Sequence, residues 1–275
     1  AGLGIGFWNI EYLRQLFNEN CVERQTQIKL RRYQQNAKEK IINDLNNRGT
    51  ALLFLATGLG KTVVAGSVIE HYFNVLGCKN ALVIAHMSDL IAQLQMSLWS
   101  FIDISINTQL VDNMNKPVDL SGVTVSTNMS ILPIIQAGYR PDIVIVDECH
   151  HVGADNTYSR ILAECHGIPL LGVTATPWRG DGFNIETTFG PPTESISLED
   201  GMKMGYLSNV RYKLFCDNID WDIVPVLSEN EYSIAQLNKK LFIPQRDEKL
   251  IDELLTAFNE TKNPKCVIFC QSIEH

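Results

Sequence analysis

Short apolar runs alternate with longer segments of helical spacing along the middle of the chain. Five runs rich in β-branched or aliphatic residues lie at 51–55, 81–85, 123–127, 142–146 and 169–174. Runs this short that are apolar throughout are typical of strands buried on both faces of a parallel sheet. The pattern therefore predicts a doubly wound α/β domain, with a mostly parallel sheet and helices on both faces.

Three positions predict where helices begin or end. Gly77 closes the helical segment after the first run and is a candidate C-cap. Ser88 opens the segment after the second run and is a candidate N-cap. Ser197 and Asp200 have the spacing of a capping box, which predicts a further helix start.

The chain is predicted to have four parts. Residues 1–29 are expected to form a mostly helical extension, in which "GLGIG" is not a nucleotide loop because no strand precedes it. The core domain is placed at 30–215, and a partly helical connecting segment at 216–262. Residues 263–275 predict a new strand, which would open a second domain of a longer protein.

The composition of the chain restricts its class and expected location but does not indicate a function. The chain has 275 residues, 45% of them hydrophobic and 20% charged, as in a soluble globular protein. Neither an apolar run of roughly 18 residues nor a basic leader is present, so no membrane partner is expected. Seven cysteines, an odd number, favour reduced thiols and a cytoplasmic location. The net charge of -8 does not attract nucleic acid, although backbone N–H groups can still hold phosphates.

The stretch "ATGLGKT" at 56–62 lies between a predicted strand and a predicted helix, as a phosphate-binding loop does. Gly58 and Gly60 would let the backbone N–H groups face phosphates. Lys61 would reach the β- and γ-phosphates, and the hydroxyl of Thr62 would coordinate Mg²⁺. The alternative without a bound phosphate is a glycine-rich turn with a solvated lysine.

Two adjacent carboxylates, Asp147 and Glu148, follow the strand "DIVIV" and so lie at the edge of the sheet where ligands bind. Asp147 would hold Mg²⁺, and Glu148 would orient and deprotonate the attacking water. Lys61 precedes Asp147 by 86 residues (147 − 61), which leaves room for a few βα units. The pair of motifs predicts ATP hydrolysis, whereas either alone could be a solvated surface feature.

A zinc site is the alternative for one cysteine- and histidine-rich region. Its candidate ligands are Cys149, His150, His151, Cys165 and His166. Zinc sites favour ligands with two to five residues between them, which lets two ligands converge. Here most of the candidates are adjacent in sequence, and adjacent residues on a strand point to opposite faces. The spacing therefore disfavours zinc.

Together the motifs resemble those of superfamily-two helicases and translocases, in particular the DEAH/DECH-like group. This group includes the motor subunits of type I and type III restriction enzymes and related DNA-repair helicases. Leu55 replaces the first glycine of the general loop pattern, which the family tolerates, but Met87 stands where many relatives carry arginine. The matching segments, in the family's order, are "LRRYQ" (30–34), "ATGLGKT" (56–62), "LVIAHMSDLIAQ" (82–93), "VSTNMSIL" (125–132), "DECH" (147–150), "TAT" (174–176) with "PWRGDG", "SLEDGMKMGYLSNVRY" and "CVIFCQSIEH".

This resemblance implies the first of two RecA-like domains, which clasp ATP with Mg²⁺ between them. Gln34 would read the edge of the base and Arg31 would support the nucleotide. The catalytic set would be Lys61, Asp147, Glu148 and His150, with Mg²⁺ held by Thr62 and Asp147. The nucleotide-binding set would be Arg31, Gln34, Thr57, Gly58, Leu59, Gly60, Lys61 and Thr62.

The resemblance also implies contacts with a nucleic-acid strand. His150 would couple the acid motif to Thr174 and Thr176, which would relay the nucleotide state to the strand. His86 and Thr127 are candidate phosphate contacts, although a histidine at a strand end can simply be structural. The candidates that would stack on a base or wedge a duplex, with local packing as the alternative, are Trp178 and Arg179.

The implied function is an ATP-dependent helicase or translocase that acts on DNA in restriction, repair or phage defence. Its partners would be double-stranded DNA, a second RecA-like domain and a nuclease or modification partner. An RNA helicase, or a recognition module that uses ATP only as a switch, remains open. Because the arginine finger of the second domain supplies ~10³–10⁵ in rate, this segment alone is expected to hydrolyse ATP slowly and not to unwind.

Overall fold

The computed structural model describes residues 29–103, 105–117, 119–176, 182–210, 226–228, 231–232 and 244–269. The chain divides into two compact units, Ala1–Asn209 and Val210–His275. The predicted N-terminal extension, apart from Lys29, lies outside the described residues, as do Trp178 and Arg179.

The first unit is built on a seven-stranded parallel sheet. Its strands are β1 (Thr50–Leu55), β2 (Asn80–Ala85), β3 (Thr108–Val111), β4 (Gly122–Thr127), β5 (Ile143–Asp147), β6 (Leu170–Thr174) and β7 (Glu194–Ile196). They are ordered β3-β4-β2-β5-β6-β1-β7, and every pairing is parallel. The parallel α/β sheet predicted from the apolar runs is confirmed.

Among the described residues, this unit also contains seven helices and one 3₁₀ turn. The helices are α1 (Arg32–Arg48), α2 (Lys61–Asn74), α3 (Ser88–Leu98), α4 (Asn128–Gln136), α5 (Thr157–Glu164), α6 (Glu186–Phe189) and α7 (Leu198–Lys203), and a 3₁₀ turn spans Cys149–His151. The five predicted strands correspond to β1, β2, β4, β5 and β6. The sequence did not predict β3 and β7, which are short edge strands with half-exposed positions.

Alternate residues of each central strand enter different cores. Leu53, Val83 and Ile145 face one core, which is closed by α1, α2 and α3. Leu52 and Val144 face the other core, which is closed by α4, α5 and α6. Successive side chains of a strand point to opposite faces, so strands covered on both faces are apolar at most positions.

The predicted caps have different outcomes. Ser197 is the N-cap of α7, and it forms the predicted capping box with Asp200. Gly77 has a left-handed φ of 70°, but α2 already ends at Asn74 and Gly77 lies in the turn beyond it. Ser88 is the first residue of α3 rather than its cap, because Met87 occupies the extended N-cap position.

The second unit contains an antiparallel pair, β8 (Val226–Ser228) and β9 (Glu231–Tyr232), and a helix, α8 (Pro244–Glu260). Residues 264–269 have no regular secondary structure, and residues 270–275 lie outside the described part. The strand predicted at 263–275 and the proposed domain boundaries therefore stay predictions.

Within the described residues, the structure has no helix of the length and apolarity that crossing a membrane requires.

Packing between β6 and α6 generates a prediction for stability. A Cβ on Gly172 would lie 2.7 Å from the ring of Phe189, which is fully buried. We expect Gly172→Ala to lower the free energy of unfolding by about 1–3 kcal/mol, since the ring must shift within a close-packed core. Urea denaturation followed by circular dichroism measures this change.

The Phe189→Ala background is the matched control for this overpacking. There the same glycine substitution should have a smaller effect, because Cγ, Cδ1 and Cε1 of the ring, which obstruct the new methyl group, are all absent. An equal loss of stability in both backgrounds would show that the Phe189 contact is not its cause.

Candidate functional site

The predicted phosphate-binding loop joins the end of β1 to the start of α2. Gly58 and Gly60 have φ values of 87° and 82°, a region that residues with a side chain rarely adopt. Gly60 is the N-cap of α2, whose first residue is Lys61. The first turn of this 14-residue helix therefore opens at the C-terminal edge of the sheet, where its free N–H groups favour an anion.

The loop is held in place by α1. The hydroxyl of Tyr33 donates to the carbonyl of Leu59 at 2.6 Å, and Nε2 of Gln34 donates to the same oxygen at 3.0 Å. The side chain of Leu59 is itself fully buried. A Cβ on Gly60 would lie 2.7 Å from Nε2 of Gln34, so a side chain there, already strained by the positive φ, would displace the amide that holds the loop.

Gln34 is committed to these contacts within the protein. Its Oε1 accepts a hydrogen bond from the backbone N–H of Arg31 at 2.9 Å, and the residue is only 4% exposed. The guanidinium of Arg31 lies 5.2 Å from the ring centroid of Tyr206. The structure thus places Gln34 as a brace of the loop, and its predicted contact with a base stays a prediction.

Sequence reasoning missed two residues that support the loop, Tyr206 and Leu207. The ring of Tyr206 packs against Tyr33, with centroids 4.7 Å apart. A Cβ on Gly58 would lie 3.0 Å from Cδ2 of Leu207. Both residues follow the turn after α7, within the segment "MGYLS". Their signal in the sequence was an aromatic residue and a leucine just beyond the turn that follows a capped helix.

The acid pair lies beside the loop because β6 alone separates β5 from β1. Oε1 of Glu148 is 3.3 Å from Nζ of Lys61, and the two side chains are 33% and 14% exposed. Glu148 has a φ of 46°, which is uncommon for a residue with a side chain and is typical of functional sites that store local strain.

Thr62 and Asp147, the two predicted magnesium ligands, line the same small cavity, whose other walls are apolar. Burial raises the pKa of Asp147, the charge of Glu148 raises it further, and Lys61 opposes this rise. A hydroxyl and a carboxylate are the oxygen donors that a hard cation prefers. These residues fit Mg²⁺, whose positive charge would favour the ionised form of Asp147.

His150 joins the acid motif to the "TAT" motif, as the resemblance implied. Its Nδ1 lies 2.8 Å from Oγ1 of Thr174, 3.2 Å from Oγ1 of Thr176 and 3.3 Å from Oε2 of Glu148. Thr174 also receives a hydrogen bond from the backbone N–H of Thr176 at 3.1 Å. The geometry needed for coupling is present, while the coupling itself stays a prediction.

The residues predicted to contact a nucleic-acid strand differ in their exposure and in their contacts within the protein. His86 is exposed beyond the end of β2. Thr127 is only 8% exposed, and its hydroxyl accepts the N–H of Ser130 as the N-cap of α4. That structural use was not foreseen. Met87, at the position where the resemblance implied an arginine in many relatives, is 54% exposed on the same edge, and Arg179 is outside the described residues.

The cysteines of the alternative zinc site belong to a hydrophobic core. Cys149 and Cys165 are buried among apolar side chains of α5 and the strands. Within the described part of the chain, no three histidine, cysteine or acidic side chains are grouped so as to hold a metal ion.

Comparison with known proteins places this site in a family. A family model described as type III restriction enzyme, res subunit, matches residues 27–179, more than half of the 275-residue chain. The type I restriction enzyme EcoAI endonuclease subunit of Escherichia coli is 26% identical over 279 residues, which cover 89% of this chain and 33% of that subunit. The chain thus spans about a third of the length of that curated relative.

Two solved structures resemble the fold. A nuclease-deletion mutant of the type ISP restriction-modification enzyme LlaGI, in complex with a DNA substrate mimic, has a TM-score of 0.56 at 18% identity, covering 65% of this chain and 21% of that one. The Hef helicase domain of Pyrococcus furiosus has a TM-score of 0.55 at 20% identity, covering 68% and 42%. These likenesses confirm the RecA-like fold, and the family match leads to one conclusion: the chain belongs to the family of type III restriction enzyme res subunits.

Proposed function

We propose that this chain is the ATP-binding part of a nucleic-acid-stimulated ATPase, the motor of a DNA helicase or translocase. The observation that carries the proposal is the 3.3 Å approach of Lys61 in the loop to Glu148 of the acid pair. These are the two groups that phosphoryl transfer to water requires, a cation for the γ-phosphate and a base for the water. The wider family membership agrees with this assignment.

Each residue has a distinct task in this proposal. The N–H groups of Gly58, Gly60 and Lys61 would surround the phosphates, and Nζ of Lys61 would neutralise developing charge on the γ-phosphate. Glu148 would accept the proton of the attacking water. Thr62 and Asp147 would hold Mg²⁺, which supplies charge neutralisation to the β- and γ-phosphate oxygens.

The link between the ATP site and a nucleic-acid strand would begin at His150. Its contacts with Thr174 and Thr176 connect Glu148 to the end of β6, so a change at the γ-phosphate could reach that edge. His86 and Thr127 lie at the ends of neighbouring strands on the same edge. We assign them to the strand-facing surface, where backbone N–H groups would supply further phosphate contacts.

DNA is the favoured substrate. The matched solved enzyme LlaGI is described in complex with a DNA substrate mimic, and the E. coli relative is a restriction endonuclease subunit. By the same reasoning a second RecA-like domain would complete the ATP site with an arginine finger, and a nuclease or modification activity would be its partner. RNA stimulation, or an ATP switch without movement, would be the competing outcomes.

The central test is ATP hydrolysis by the natural polypeptide that contains this chain and a second RecA-like domain. We expect duplex DNA to stimulate hydrolysis, and Glu148→Gln to reduce the stimulated rate by about 10²–10⁴-fold because the general base is lost. Binding of a fluorescent ATP analogue should persist. Glu164→Gln, which alters an exposed carboxylate of α5, is the matched control.

The three competing functions, DNA motor, RNA helicase and ATP switch, give different results in this assay. Stimulation by RNA alone would identify an RNA helicase. No stimulation by DNA or RNA, with ATP binding intact, would instead support a switch and refute the motor.

The brace beneath the loop yields a separate prediction. Tyr33→Phe removes one of the two donors to the carbonyl of Leu59, a loss of about 1 kcal/mol. We expect the Kd for ATP–Mg²⁺ to rise about fivefold because the loop is less firmly oriented. Isothermal titration measures this, and Tyr139→Phe, which removes a buried hydroxyl that makes no contact with the loop, is the control. Equal affinity in both variants would contradict the role of the brace.

A further inference from the structure

Three imidazole rings form a column at the C-terminal edge of the sheet. His86 follows β2, while His150 and His151 lie in the turn after β5, and these two strands are neighbours. The rings of His86 and His151 are stacked almost in parallel, with centroids 3.8 Å apart and planes 10° apart. The rings of His150 and His151 are 4.2 Å apart at 38°.

The column connects the candidate catalytic site to the surface. One end of the column is His150, whose Nδ1 lies 3.3 Å from Oε2 of Glu148. Glu148 in turn contacts Lys61. The other end is His86, which is exposed. Between these ends lies His151, which is half-buried and contacts a ring on each side. A contiguous series of contacts thus joins the loop lysine to the strand-facing edge.

The backbone ties His151 to Glu148 as well. The N–H of His151 donates to the carbonyl of Glu148 at 3.0 Å, and Nδ2 of Asn156 donates to the carbonyl of His151 at 2.9 Å. Glu148 itself has the uncommon φ of 46°. A change of backbone conformation at Glu148 would therefore move the short 3₁₀ turn and with it the ring of His151.

We propose that His151 is a positioning residue that passes changes at Glu148 to His86, and so sets how strongly nucleic acid accelerates ATP hydrolysis. This inference rests on the proposed function. Stacked planar rings suit the task, because a shift of His151 changes its overlap with His86 directly. The coupling is reciprocal, so a strand that fixes His86 would also favour one arrangement of Glu148.

A purely structural role for His151 makes a different prediction. Its ring lies at an edge of the sheet and is half-exposed, outside both hydrophobic cores. If the column only filled space, replacing His151 would lower stability and alter basal and stimulated hydrolysis to the same extent. The proposed role instead separates the two rates.

The experiment compares variants of the natural polypeptide that carries both RecA-like domains. For His151→Ala we expect the basal ATPase rate and the KM for ATP to stay within about twofold of wild type, while stimulation by duplex DNA falls about tenfold. His151→Phe retains a planar ring and should keep most of the stimulation, whereas His151→Leu retains only volume and should not. His166→Ala removes an exposed histidine outside the column and is the control.

A double-mutant cycle provides the second readout. If His86 and His151 act through their stacked rings, His86→Ala together with His151→Ala should reduce stimulation no further than the stronger single substitution. Additive losses would overturn the inference. Thermal unfolding of each variant identifies any loss of folding, in which case the comparison of His151→Phe with His151→Leu decides the question.

The outcomes distinguish a failure of this inference from a failure of the proposed function. A wild-type protein that no nucleic acid stimulates would overturn both. A stimulated wild type whose His151→Ala variant is equally stimulated would overturn the role of His151 alone. A parallel fall in basal and stimulated rates would assign His151 a structural role and likewise overturn the proposal.

Discussion

The ion pair between Lys61 and Glu148 depends on the order of the strands in the sheet. β6 lies between the strand that precedes the loop and the strand that precedes the acid pair, so segments far apart in sequence end side by side. The side chain of Lys61 is largely shielded from water, whereas that of Glu148 is one third exposed, so removal of Glu148 would leave the more buried cation without this carboxylate. The same arrangement brings Thr174 and Thr176, at the end of β6, against His150.

Much of the fold could be predicted because burial on two faces leaves a strong signal. Leu52 and Leu53 are both fully buried, one in each core, and β1 is apolar at every position after Thr50. β3 and β7 pair on one side only; β3 alternates between half-exposed and buried positions, and only the last of the three residues of β7 is buried. Strands of three or four residues with that pattern cannot be distinguished from loops by periodicity.

The candidate site was predictable where motifs are local and not where contacts are distant. The loop glycines, Lys61 and the acid pair stand in short segments whose chemistry is readable from spacing. Tyr206 reaches the loop through Tyr33, at the other end of the core domain, and no local pattern encodes that contact. The hydroxyl of Thr127 shows the converse, because a residue chosen for phosphate contact is engaged in capping a helix.

The two hydrogen bonds on the carbonyl of Leu59 bear on how a nucleotide would be received. Rotation of the peptide between Leu59 and Gly60 would break both bonds, and the close approach of Gln34 leaves little free space around Gly60. The carbonyl of Leu59 is therefore oriented by the protein itself. Under the proposed function, little conformational entropy of this peptide would be lost on association, so binding energy would be available for closing the site around the phosphates.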